Sequence, residues 1–167
     1  MQSLVVYDPL FGNTVQLAQA IGGMLGERGS VGFATVREGA PPELAGIDLL
    51  VVGSPTIFRR ETRAMRELIA SIPAGGLAGI RVAAFDTRPR AARWRSGSAA
   101  RHVAGRVKSL GGTLVIPAES FFVAGSRRRL EAQEIERAMV WARRVLDQAE
   151  AYHPRWWSSR KELMAGC

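Results

Sequence analysis

The run Ile47-Asp48-Leu49-Leu50-Val51-Val52-Gly53 constrains the fold more than any other stretch of the chain. It is almost continuously apolar and lacks the in-out alternation of a half-exposed strand, so it reads as a strand covered on both faces. Leu4-Val5-Val6-Tyr7 and Ile80-Arg81-Val82-Ala83-Ala84-Phe85 have the same character. Strands of this kind belong to parallel sheets held between helices, and each parallel pair needs a crossover long enough to carry a helix.

The intervening segments meet that requirement. From Thr14 to Arg28, apolar residues at Val15, Leu17, Ala18, Ile21 and Leu25 recur at helical spacing, and Gly29 supplies a stop. Val31 to Val36 reads as a second strand. A polar loop from Ser54 to Glu61 leads into a helix from about Thr62 to Ser71, ended by Pro73 and Gly75-Gly76. An arginine-rich loop, Asp86 to Arg95, precedes a helix from Ser96 to Leu110. Thr113 to Val123 is strand-like, with a bend or an edge position at Pro117. The last helix runs from about Leu130 to Tyr152, with Ile135, Ala138, Met139, Ala142, Val145 and Leu146 as its buried stripe. Five successive β-α units predict an α/β fold, a doubly wound three-layer sandwich over residues 1–152. Residues 153–167 form a basic aromatic tail outside it.

With 167 residues the chain suits one domain with a proper core. No stretch approaches the roughly 20 consecutive apolar residues of a membrane helix. The N-terminus lacks a basic region and a small-residue cleavage site, so a cytoplasmic location is the expectation. The single cysteine, Cys167, offers neither an intrachain disulfide nor the spacing of a zinc site, and no metal is expected. The net charge of +8 rests almost wholly on arginine, since Lys108 and Lys161 are the only lysines. These arginines spread through the helices instead of forming one block. That distribution, without any recognised reader motif, argues against nucleic acid, while the field still attracts acidic partners.

The chemistry gathers where strands end. Asp8-Pro9-Leu10-Phe11-Gly12-Asn13-Thr14 joins the first strand to the first helix, whose start offers free backbone N–H groups and a positive dipole end to an anion. Gly12 allows close backbone approach; Asn13 and Thr14 add side-chain donors. The same Gly-Asn-Thr is also a sound turn and helix cap, and on those residues alone the two readings stand side by side. No Gly-x-Gly-x-x-Gly follows the first strand and no Walker motif occurs, which disfavours a nicotinamide-binding domain and a nucleotide triphosphatase.

At these residues the sequence resembles the flavodoxins, over about residues 3 to 150. Val5-Val6-Tyr7-Asp8 with Phe11-Gly12-Asn13-Thr14 is similar to their phosphate loop, and Val51-Val52-Gly53-Ser54-Pro55-Thr56 to their third strand and flavin-contacting loop. Phe85-Asp86-Thr87-Arg88, Ser96-Gly97-Ser98-Ala99-Ala100 and Pro117-Ala118-Glu119-Ser120-Phe121-Phe122-Val123 are similar to later segments of flavodoxin-domain proteins. No long insertion splits the fifth strand, so the likeness is to short-chain members. The resemblance implies a flavodoxin-like five-stranded parallel sheet of order 2-1-3-4-5 and an FMN site at the switch point. It places the phosphate on Asp8, Leu10, Phe11, Gly12, Asn13 and Thr14. Pro9 stands where a serine or threonine is common and Phe11 where a threonine is frequent, which removes polar donors.

For the isoalloxazine ring the resemblance implies Ser54, Pro55, Thr56, Ile57 and Phe58 on one side, with Ile57 or Phe58 touching the ring. Phe58 has the alternative role of pinning the loop to the core. Asp86, Thr87 and Arg88 supply the other side. Trp94 is the large aromatic of that loop, either stacked on the flavin or simply packed, and Arg88, Arg90, Arg93 and Arg95 around it form a positive flavin edge or a solvated face. No acid–base or nucleophilic pair is evident, so any chemistry would belong to the flavin.

The expected function is an FMN-binding redox protein, with electron carrier and small flavin oxidoreductase both open. The alternative is a flavodoxin-fold interaction module whose FMN binding has weakened or gone. Its basic surface points to an acidic redox partner protein or a quinone-type small molecule. The tail, with Trp156 and Trp157 among cations, reads first as an end folded back or disordered, and has also the composition of a peripheral membrane contact.

Overall fold

Apolar strands that want cover on both faces receive it here. The computed structural model describes residues 1–38, 42–125 and 127–152; the tail of 153–167, with its membrane reading and Cys167, lies outside them. In chain order the elements are β1 (Gln2–Tyr7), α1 (Asn13–Leu25), β2 (Ser30–Thr35), β3 (Leu49–Pro55), α2 (Arg63–Ala70) and β4 (Arg81–Pro89). They continue with α3 (Arg93–Ser96), α4 (Ala99–Ser109), β5 (Thr113–Leu114), β6 (Glu119–Ala124), β7 (Arg129–Leu130) and α5 (Glu134–Ala151).

The sheet order is β2-β1-β3-β4-β6-β7, with β5 also paired to β4. All these pairings are parallel except β6 with β7. The 2-1-3-4-5 order therefore holds when β5 and β6 together count as the fifth strand, but the expected five continuous strands do not. Proline has no N–H to give the ladder. The chain keeps a last bond from Val115 N–H to the Val82 carbonyl at 3.0 Å. Beyond Pro117 it rejoins β4 at Glu119, opposite Phe85. The antiparallel β7 is a second correction: the stretch after Ala124 turns back on β6, so Leu130 is strand, and α5 starts only at Glu134.

Period-two alternation sorts the strand side chains between two cores. Val5, Leu49, Val51, Ala83 and Phe85 face α1 and α5, where Leu17, Ile21, Ala138, Ala142, Val145 and Leu146 are buried. Leu4, Val6, Leu50, Val52, Val82 and Ala84 face α2 and α4, meeting Met65, Ile69, Val103 and Val107. In the first core Phe85, Phe121 and Trp141 form an edge-to-face trio with ring centroids 6.0 Å apart. Trp141 thus belongs to the α5 stripe, whereas Met139, expected inside, is 39% exposed. Gly53 makes room for that trio: a Cβ there would lie 2.1 Å from the Phe85 ring. Among the described residues no helix is long and apolar enough to cross a membrane.

Candidate functional site

The β1–α1 loop sits where strand order reverses, between β1 and β3, with Asp8 N–H donating to the Gly53 carbonyl at 3.0 Å. Gly12 precedes α1 in the left-handed region, φ 75°, and the space where its Cβ would stand is open within 4 Å. That is backbone a ligand can approach closely. The N–H groups of Asn13, Thr14 and Val15 have no acceptor among the described residues, nor does that of Phe11. The Thr14 side chain is buried and makes no hydrogen bond to a described residue. One side-chain cap is missing too, since Gly12 has none to give. The loop can hold an anion on these donors.

Two other amides are spent internally. Gly12 N–H donates to the Pro9 carbonyl at 3.2 Å, closing a turn whose third residue, Phe11, has φ 74°. Leu10 N–H donates to Asp8 Oδ1 at 2.9 Å. The other Asp8 oxygen accepts from Thr62 Oγ1 at 2.5 Å, and Thr62 in turn caps α2 by accepting from Met65 N–H at 3.1 Å. Asp8 is 4% exposed. Its carboxylate ties the loop to the start of α2 and occupies a donor in the process.

The second expected loop begins later than its sequence suggested, because Ser54 and Pro55 belong to β3. Both are fully covered: Ser54 Oγ accepts from Thr62 N–H at 3.3 Å and donates to the Pro55 carbonyl at 3.1 Å. Thr56 N–H donates to the Thr87 carbonyl at 2.8 Å while its hydroxyl accepts from Ala99 N–H at 2.9 Å, so it braces β4 and α4. Ile57 and Arg60 then exchange backbone bonds at 2.9 and 3.1 Å around a two-residue turn. Both turn residues, Phe58 and Arg59, have positive φ, the combination usually given to Asn-Gly. Phe58 is 94% exposed at the tip, which rules out its pinning the loop to the core.

The third loop also needs correcting. Asp86, Thr87 and Arg88 lie within β4, which continues to Pro89, because β6 pairs with that extension from Phe85 to Pro89. Asp86 is wholly buried: one oxygen accepts from Ser98 Oγ at 2.6 Å and from Ala100 N–H at 2.9 Å, capping α4. Its other oxygen has no hydrogen-bond partner among the described residues. Arg88 is buried and donates to Ser120 Oγ (3.0 Å), Ser96 Oγ (2.7 Å) and the Ala91 carbonyl (2.9 Å), fastening residues 91–96 to β6. Arg90 lies over the Phe122 ring, 4.1 Å from its centroid, and donates to Glu131 Oε2. Hydrogen bonding to Glu131 holds the Arg90 guanidinium above its ordinary value. Arg88 and Arg90 therefore turn toward β6 and do not surround Trp94. Trp94 sits on α3, 73% exposed, with Arg95 over its ring at 5.5 Å, so it is not packed in the core.

One neighbour of the β1–α1 loop was not anticipated. Asn13 Nδ2 donates to the Arg128 carbonyl at 2.5 Å, so the β6–β7 turn lies beside the start of α1. Arg127, Arg128 and Arg129 are exposed there and make no ion pair among the described residues. The triplet Arg-Arg-Arg is visible in the sequence, but its position depends on the hairpin.

The arrangement has clear structural counterparts. Flavodoxin 1 from Bacillus cereus superposes with a TM-score of 0.75 over 88% of this chain and 98% of its own, at 14% identity. The fold is the flavodoxin fold. A flavodoxin from the domain Archaea matches at TM-score 0.69 and 21% identity, covering 90% of this chain and 99% of that one. A short-chain flavodoxin associated with a PDU bacterial microcompartment also gives 0.69, at 15% identity, with 89% and 99% covered. No protein-family model and no curated protein matches the sequence. In open α/β sheets ligands bind outside the carboxyl ends of the strands at the switch point, and here the 8–14 loop and the 57–60 turn follow the carboxyl ends of β1 and β3.

Proposed function

We propose that the chain is an FMN-binding redox protein of flavodoxin type. The observation that carries the reading is the set of unengaged amides of Phe11, Asn13, Thr14 and Val15 around open space at Gly12, set at the switch point of a flavodoxin fold. This donor set fits a phosphate. The exposed arginines of the β6–β7 turn add positive charge beside it. Pro9, and the capture of Leu10 N–H by Asp8, leave it with fewer donors than the loop length provides. FMN, when bound, supplies one- and two-electron transfer. The residues of the chain hold its phosphate at 11–15 and border the ring with Ile57 and Phe58 on one side and Thr87 and Trp94 on the other, while buried Arg88 ties β4 to Ser120 of β6 behind them. Ser54, Pro55, Thr56 and Asp86 act behind that border by fixing β3, β4 and α4 to one another.

With a net charge of +8, the partner this reading calls for is an acidic redox protein or a quinone-type small molecule reaching the flavin edge. Protein purified after expression should show flavin absorption bands, or quench the fluorescence of added FMN at micromolar concentration. Colourless protein that leaves FMN fluorescence unchanged would refute the reading. It would favour instead an interaction module that has lost the cofactor, a reading for which the internal Asp8–Leu10 bond is the specific support.

A further inference from the structure

A cavity of about 630 Å³ opens beside the 57–60 turn, lined by Phe58, Arg59, Arg60, Gly97, Ser98, Arg101 and His102. Gly97 lets the two walls meet: a Cβ there would lie 2.1 Å from the Arg59 carbonyl oxygen, and its φ of 70° suits glycine. The turn that carries Phe58 and Arg59 is thereby fixed against the start of α4. No residue of the 8–14 loop lines this space.

Its charge is not neutralised from within. Arg59, Arg60 and Arg101 make no ion pair among the described residues. The nearest acidic residue in sequence, Glu61, is wholly buried and lies between Arg106 at 3.3 Å and Arg66 at 3.5 Å. Glu67 is engaged by Arg63 at 2.6 Å. Three guanidinium groups and an imidazole therefore line one concavity, beside an aromatic ring that is 94% exposed. Like charges brought together at no gain to the fold repel one another, and guanidinium forks match carboxylate and phosphate oxygens in pairs. The volume lies within the range of small-molecule pockets, roughly 300–1,000 Å³, and a flat ring has Phe58 to lie against.

We infer that this cavity binds a small planar aromatic compound carrying two or more carboxylate or phosphate groups. The anionic groups engage Arg59, Arg60 and Arg101, and the ring lies against Phe58. The site shares Phe58 with the proposed border of the flavin ring but takes none of the 8–14 loop, and Arg59, Arg60, Arg101 and His102 lie outside the residues assigned to the flavin.

The test uses the full chain and benzene-1,3,5-tricarboxylate as probe, with benzoate and propane-1,2,3-tricarboxylate for comparison, by calorimetric titration at low and at physiological salt. Saturable one-to-one binding of the aromatic tricarboxylate is expected, at least tenfold tighter than benzoate and weaker at higher salt. Arg59→Gln and Arg101→Gln should each weaken it by about tenfold or more, the loss of one charge-assisted hydrogen bond. Phe58→Ala should weaken the aromatic probe while leaving the aliphatic tricarboxylate unchanged. Arg129→Gln, at the start of β7, serves as a charge-matched control without effect. Circular dichroism of each variant confirms folding, and Arg60→Gln replaces any that fails. Absence of saturable binding at millimolar probe would overturn the inference. So would an equal loss from Arg129→Gln, which would mark a diffuse response to net charge. FMN titration of the Arg59→Gln and Arg101→Gln proteins, which keep Phe58, reports separately on the α1 loop.

Discussion

Replacing Asp8 with alanine should move cofactor affinity and stability in opposite directions. In the native loop the Asp8 carboxylate holds Leu10 N–H at 2.9 Å and Thr62 Oγ1 at 2.5 Å, almost out of reach of solvent. Hydrogen bonds to a charged group contribute about 1.5–3 kcal/mol each, and relief of the carboxylate's desolvation offsets part of the loss. A net destabilisation of about 2 kcal/mol lowers the melting temperature by roughly 4–8 °C in a domain of this size. The same change frees Leu10 N–H for a phosphate and removes a negative charge from the loop. One added amide–phosphate bond, at about 1.5–3 kcal/mol, tightens FMN by roughly tenfold to a hundredfold. Fluorescence titration with FMN and thermal melting followed by circular dichroism read the two effects on one sample. Asp8→Asn separates them further, since it removes the charge while leaving an oxygen able to accept from Leu10. A folded Asp8→Ala protein that binds FMN no better than wild type would refute the view that Asp8 competes for the phosphate donors.

Other substitutions test the frame that carries the site. Gly53→Ala drives a methyl group into the Phe85 ring and should cost about 1–3 kcal/mol, seen as a lower urea midpoint with an unchanged slope. Glu61→Met should be neutral or stabilising in the same assay, because the wholly buried carboxylate has only Arg66 and Arg106 at 3.5 and 3.3 Å and no hydrogen bond among the described residues. Both arginines are about one-third exposed and are solvated without it. Thr14→Val should weaken FMN at least several-fold with little change in melting temperature, as measured by the same fluorescence titration.

Much of the fold was legible because burial on both faces leaves a plain signature in Ile47–Gly53 and Ile80–Phe85, and the crossover helices carry clear apolar spacing. The split of the last strand was readable only in part. Pro117 announces a break, but nothing local says that pairing resumes at Glu119. Asp86 to Arg88 looked like loop since they are polar, yet they are strand: the acid and the arginine are buried by bonds to Ser98, Ala100, Ser96 and Ser120, partners 8 to 32 residues away in sequence. Trp141 was missed in the α5 stripe because its neighbours Phe85 and Phe121 come from other strands. Gly12-Asn13-Thr14 stands at the loop-to-helix junction that its strand–loop–helix setting implied. The engagement of Leu10 by Asp8, and the approach of Arg128 to Asn13, are long-range geometry that no spacing encodes.

The central claim is that the first turn of α1 holds the phosphate of FMN, and comparison of FMN with riboflavin tests it most directly. The two flavins share the ring and ribityl chain and differ only in that phosphate. The account predicts one-to-one quenching of FMN fluorescence with riboflavin bound at least tenfold more weakly, a gap that narrows in the Thr14→Val protein. Equal affinities for the two flavins, or no binding of either at micromolar concentration, would contradict it.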